Sequence, residues 1–218
     1  MPLSPRSICR PMSSSFMKNR LLFLVAAVVL PIAHALGQGL FVYDQQSSTD
    51  ETPFPGSGPV IQQFSSYGQS FIPSLPSIDF FKLKLSDNDP SNGLGATIYL
   101  NLRSGSIAGP ILGTTTPAIL ADGFSGVVSF FFAGTVTLAP GNGYYCEPIV
   151  QSGDLWNIDA GEYGYPNGSV FADGLPATGS DIWFREGVIV PEPASVSLLS
   201  VAASFLILVL QRRASFRK

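Results

Sequence analysis

The sequence predicts an all-β protein, an antiparallel two-sheet sandwich, with an N-terminal signal helix before it and one C-terminal transmembrane helix after it. Three observations predict this. Only 12% of the 218 residues are charged, while 22 are glycine and 18 proline, a mix that suits short strands and turns better than long solvent-facing helices. Between residues 36 and 189, apolar and polar residues alternate with a period of two in short runs separated by Gly, Pro, Asn and Asp. No heptads, no long helical stripe and no solenoid-length repeat compete with that pattern.

The leader comes first. Residues 21–30 are apolar, follow Lys18 and Arg20, and lead through Pro31 to Ala33-His34-Ala35, where small residues stand as signal peptidase requires. Residues 1–35 therefore read as a secretory signal peptide. A short core helix or an N-terminal anchor is the alternative, and the block falls well short of the ~20 residues that a spanning helix needs.

In the passenger, residues 40–43 open the first strand, and residues 44–59, polar and then rich in proline, read as a long loop. Runs at 60–64 and 69–72 follow. Residues 78–85 put Phe81, Leu83 and Leu85 on one side and Lys82 and Lys84 on the other. Residues 96–103 put Ala96, Ile98, Leu100 and Leu102 inward and Thr97, Tyr99, Asn101 and Arg103 outward. The polar run 87–93 between them reads as a hairpin or edge loop. Runs at 111–115, 127–132, 135–138, 144–150, 169–172 and 181–188 complete two sheets. Residues 127–132 are apolar on both faces, which calls for a central place or a covering loop, because a bare edge of that kind is sticky.

The tail is the second apolar block. Residues 194–210 carry no charge, with Pro193 before them and Gln211, Arg212, Arg213, Arg217 and Lys218 after. At ~1.5 Å per residue they span about 25 Å, enough for a short transmembrane helix diluted by serines. Arg212 and Arg213 set the topology, since basic residues stay cytoplasmic and residues 36–193 must then lie outside. Charge supports the same division. Between the ends the only basic residues are Lys82, Lys84, Arg103 and Arg185, and all 15 acidic residues lie there too, so four cations against 15 anions leave −11 where the whole chain reads −3. Such a passenger repels nucleic acid and anionic lipid.

Val190-Pro191-Glu192-Pro193-Ala194-Ser195, the apolar helix and then Arg212-Arg213 resemble the PEP-CTERM sorting signal of Gram-negative bacteria that secrete extracellular polymer. The resemblance implies three segments: a signal peptide (1–35), an ectodomain (36–189) and a sorting signal (190–218). The last divides into a motif (190–193), a helix (194–210) and a basic tail (211–218). It further implies that an exosortase recognises Pro191, Glu192 and Pro193 as substrate residues and cleaves near them. The membrane-anchored precursor would then pass to the envelope, outer surface or matrix. Prolines keep such a segment extended and out of the helix. A simple tail anchor is the alternative, and a lipid-anchor signal fits less well because eight residues follow the apolar stretch.

A second resemblance lies within the passenger. Gly68-Gln69-Ser70-Phe71, then 135–145 with Leu138-Ala139-Pro140-Gly141-Asn142-Gly143-Tyr144-Tyr145, then Asp181-Ile182-Trp183-Phe184-Arg185 are similar to strands of jelly-roll domains. Those domains occur on bacterial surface proteins with interchangeable C-terminal anchors. This implies a jelly-roll-like sandwich without implying an activity.

Chemistry has few carriers. His34, the single histidine, leaves with the leader, so Ser-His-Asp and Cys-His arrangements are excluded. Glu147, Asp154, Asp159, Glu162, Asp173 and Glu186 remain available for a glycoside-cleaving pair, but no spacing selects two of them. The residues point to a non-catalytic protein with no cofactor. Cys146, without a mature partner, reads as a small buried thiol, with an intermolecular disulfide as the alternative. Asp87 and Asp89, with Ser91 and Gly93, are weak calcium candidates: Asn92 stands where an EF-hand loop needs glycine, and no metal site is expected. Residues 154–168 bring Trp156, Tyr163 and Tyr165 into a loop with carboxylates and amides, the composition of a shallow sugar site, and Trp183 offers a second platform. The competing reading has Trp156 and Tyr163 plugging one end of the sandwich. The leading expectation is thus a surface or matrix protein linked to exopolysaccharide or biofilm. A lectin-like module comes next and a glycoside-acting enzyme third.

Overall fold

The alternating runs fold as antiparallel strands in a computed structural model that describes residues 39–53 and 58–191. In chain order these are β1 (Leu40–Gln46), β2 (Tyr67–Phe71), β3 (Ser77–Asp87), β4 (Ala96–Ser104), β5 (Ile111–Thr114), β6 (Ala118–Leu120) and β7 (Ser125–Thr137). They continue as β8 (Tyr144–Gly153), β9 (Trp156–Ile158), β10 (Ala160–Gly161), β11 (Val170–Ala172), β12 (Leu175–Ala177), β13 (Asp181–Ile182) and β14 (Phe184–Val190). The expected signal helix and its cleavage site, Glu192, Pro193, the helix expected at 194–210, Arg212 and Arg213 lie outside the described residues.

The front sheet runs β1-β14-β3-β7, with β9 beside β3 beyond the end of β14. The back sheet runs β12-β11-β2-β8-β4-β5, with β6 sharing the β5 edge of β4. A small ribbon pairs β10 with β13. Successive long strands alternate between sheets: β1 is in front, β2 at the back, β3 in front, β4 at the back, β7 in front, β8 at the back and β14 in front again.

Period-2 geometry explains the packing. Phe81, Leu83 and Leu85 from β3, and Ile98, Leu100 and Leu102 from β4, are buried between the sheets. Phe71 of the back sheet meets Phe81 edge-on at 5.6 Å and Phe184 at 6.4 Å, while Phe81 and Phe184 stack at 5.3 Å. Each such side chain contributes about 1.5–3 kcal/mol on leaving water, so this ring cluster joins the sheets. β1 approaches β14 closely at Gly187, where a Cβ would stand 2.0 Å from the Val42 carbonyl oxygen.

The structure corrects several expectations. Residues 60–64 form no strand: Val60 makes one bridge to Asn157, and the chain then turns through a 3-10 helix at Ile61–Gln63. Runs 127–132 and 135–138 merge into the single strand β7. Of the two places expected for residues 127–132, central or covered, the strand takes the second: it closes the front sheet, and its outer edge is met by Thr115 and Thr116, the latter donating to the Phe131 carbonyl at 2.8 Å. Residues 87–93 are no hairpin, since β3 and β4 belong to different sheets and the segment crosses between them. Residues 181–188 break at Trp183 into β13 and β14. Short strands β6, β9, β10 and β12 carry too few residues to show a period.

Candidate functional site

The aromatic candidates for sugar stacking turn out to be mostly interior. Trp156 and Trp183 are fully buried and Tyr165 is 8% exposed, so none offers a ring face to a ligand. Trp156 sits on β9 beside β3, packs 6.3 Å from Phe124, and takes its backbone position from Gln62, whose Oε1 accepts its N–H at 3.1 Å. Tyr165 stands edge-on to Phe184 at 5.1 Å; its hydroxyl donates to Gln45 Oε1 at 3.1 Å and accepts the Ile72 N–H at 3.4 Å. Burial pushes that hydroxyl up to about 12. Both side chains belong to the core: Trp156 packs at the Asp87 end of β3 and Tyr165 beside Phe184 of β14.

Trp183 faces away from the inter-sheet core, as its alternation with Phe184 indicates, yet it is covered. Lys84 Nζ lies 5.2 Å over its ring, and its backbone N–H reaches the Asp159 carbonyl at 2.8 Å. Lys84 is itself buried and pairs with Asp159 Oδ2 at 3.5 Å. Asp159 Oδ1 accepts the hydroxyl of half-buried Tyr163 at 2.6 Å. Burial, then the bond to Asp159, holds the Tyr163 hydroxyl well above its ordinary range. Tyr163 and Trp183 therefore converge on one ion pair rather than on an open cleft.

Asp87 and Asp89 are tied to each other in a turn. Asp87 Oδ1 accepts the Asp89 N–H at 2.9 Å and Oδ2 accepts the Gly123 N–H at 2.8 Å, so both oxygens are engaged. Among the described residues no three His, Cys, Asp or Glu side chains gather as a metal-binding group. The same habit extends across the domain. Asp44 clamps the N–H groups of Ser74 and Leu75, Asp122 those of Ser91 and Gly93, Asp181 that of Tyr165, and Asp79 that of Ile189. Many of the acidic residues of this unit thus clamp loops or strand ends, each through a charge-assisted hydrogen bond to backbone.

Two charged places differ from that pattern. Inside the sandwich, Glu186 of β14 is fully buried; Oε1 accepts the Gln45 N–H at 3.1 Å and Oε2 has no hydrogen-bond partner among the described residues. Burial first, then the charge of Asp44, pushes its carboxyl up to about 9. Cys146, buried on β8 as expected, has its thiol raised well above its ordinary value by burial and then by Glu147 and Glu186.

On the outward side of the front sheet, Lys82, Lys84 and Arg185 gather three of the four cations of the passenger. Lys82 and Arg185 are register partners on β3 and β14. Arg185 lies 3.5 Å over the Tyr43 ring, its Nε donates to Gln46 Oε1 at 3.0 Å and its Nη1 to Glu51 Oε1 at 2.5 Å. Lys82 Nζ donates to the Tyr43 hydroxyl at 2.8 Å, lies 4.9 Å over Phe41 and stands 3.9 Å from Glu51 Oε1. Phe41 packs edge-on to buried Phe80 at 4.7 Å and lies 6.1 Å from Phe131, which is 40% exposed. The sequence reading did not select this face. Its signal was available in part: Phe41 and Tyr43, and Lys82 and Lys84, each occur two apart and so share a side.

No family model matches the chain, and comparison with curated proteins finds no match. No helix among the described residues is long and apolar enough to cross a membrane.

Proposed function

We propose that this chain is a secreted, non-catalytic surface or matrix protein, sorted by an exosortase-type system and linked to exopolysaccharide or biofilm. The observation that carries the reading is where the folded unit stops. The unit is Leu40–Val190, its last strand β14 lies between β1 and β3, and exposed Pro191 follows at once. A Pro-Glu-Pro motif placed there begins directly after the fold ends, so a processing enzyme reaches it without unfolding the sandwich. Loops clamped by their own carboxylates suit a durable exterior scaffold. The finer class we propose is a jelly roll. It is supported by the strand order, in which first and last strands are neighbours in the front sheet and successive long strands alternate between sheets.

Deleting residues 191–193 is expected to leave an uncleaved, membrane-held precursor, read as intact mass in the membrane fraction. Normal processing of that variant sinks the exosortase reading.

A second reading, a carbohydrate-binding module, draws on one observation: the half-buried Phe41 and Tyr43 and the 40% exposed Phe131 border polar groups on the outward face of the front sheet. A glycan array separates it from the first.

A further inference from the structure

We propose that Arg185, Lys82 and Tyr43 form a carboxylate-binding site for a saccharide that carries uronic acid, and that Glu51 is the stand-in ligand the chain itself supplies. The saccharide identity rests on the exopolysaccharide reading above.

The two cations are held by contacts that do not involve Glu51. Arg185 is fixed by the Tyr43 ring at 3.5 Å and by Gln46 Oε1 at 3.0 Å; Lys82 is fixed by the Tyr43 hydroxyl at 2.8 Å and the Phe41 ring at 4.9 Å. A guanidinium stacked on an aromatic ring and a lysine tied to its hydroxyl are pre-organised for a carboxylate, so little ordering remains to be done on binding. Glu51 fills the place: Oε1 lies 2.5 Å from Arg185 Nη1 and 3.9 Å from Lys82 Nζ.

Glu51 is easily displaced. Its side chain is 44% exposed, and its neighbours are tied locally, Asp50 N–H to Ser48 Oγ at 3.2 Å and Thr52 N–H to Asp50 Oδ1 at 2.9 Å. The Arg185 and Lys82 side chains that it meets are 14% and 13% exposed.

Ring chemistry selects the occupant. Phe41 stands beside the cations, and partly exposed Phe131 lies 6.1 Å from it. A uronate sets a carboxylate next to the apolar C–H face of a sugar ring, matching a cationic fork next to aromatic carbon; an acidic peptide brings a carboxylate without that face. In a passenger of net −11, this side of the front sheet, with three of four cations, is where an anion can approach.

The test titrates the full-length protein in mild detergent at low ionic strength with trigalacturonate, its neutral counterpart galactotriose, and a glutamate-rich peptide. Trigalacturonate is expected to bind, Glu51→Gln to bind it about threefold to fivefold tighter by removing the competitor, and added salt to weaken both. Arg185→Lys, which keeps the charge but loses the planar fork, is expected to remain folded by circular dichroism and to bind at least about fivefold more weakly. No binding in any variant, weaker binding by Glu51→Gln, or equal binding of galactotriose overturns the site. Equal binding of the peptide overturns the saccharide as its occupant. Tail processing plays no part in the titration, so its failure leaves the sorting reading standing, and the reverse holds too.

Discussion

On the inward side of the front sheet, Glu186 stands among Phe81, Phe184 and Tyr165 with one backbone N–H at 3.1 Å and, among the described residues, no cation paired with it. On the outward side, one residue away along the same strand, Arg185 holds Glu51 at 2.5 Å, and two positions along β3 from its partner Lys82, Lys84 holds Asp159 at 3.5 Å. The difference lies in what burial is paired with: Asp159 meets the buried Lys84, whereas burial without such a partner, and then the charge of Asp44, push the Glu186 carboxyl up.

The comparison breaks most visibly on the outward side. Asp159→Ala leaves Lys84 buried without its counter-charge, and the expected loss is about 3–4 kcal/mol in urea unfolding at pH 7, the usual cost of stripping one partner from a buried pair. A loss below about 1 kcal/mol would show that the Trp183 ring face alone supports the ammonium.

Glu186→Gln probes the inward side and carries the opposite sign. The carboxyl titrates near 4.5 when unfolded and is pushed up to about 9 when folded. Its contribution to stability is therefore complete below about 4.5 and is lost as pH rises towards 9, because only the unfolded chain gives up the proton across that window. The variant, which keeps an oxygen for the Gln45 N–H, should be the more stable by roughly 2–4 kcal/mol at pH 8, with a flatter profile from pH 5 to 9. Parallel profiles for the two proteins would mean that Glu186 is ionised in the fold.

The smallest effect belongs to Glu51. Its carboxylate is 44% exposed, and Glu51→Gln should change stability by no more than about 0.5 kcal/mol, because water and salt screen such a pair. A loss of about 2 kcal/mol would make the Glu51 contact structural and remove the basis for a displaceable ligand.

Much of the fold was legible. The inward Ile98, Leu100 and Leu102, the inward Phe81, Leu83 and Leu85, and the opposed Tyr144 and Tyr145 follow from the strand period, and each lies on the expected side. The candidate site was legible only in fragments. Alternation with Phe184 puts Trp183 on the outward side, but nothing near it in sequence announces that Lys84 will lie over its ring. Trp156 and Tyr165 sit in a polar, Gly-rich stretch that reads as a loop, yet both rings are buried in the core.

Which side of a strand a residue takes is a local matter: successive Cβ atoms point to opposite faces, so alternation alone settles it. What then lies over that residue is not local. The β1-β14-β3 order, the meeting of Arg185 with Lys82 and Tyr43, and the raised carboxyl of Glu186 arise when segments more than a hundred residues apart are packed together. Only that packing decides how much water and how much counter-charge each side chain keeps, and those two quantities fix its chemistry.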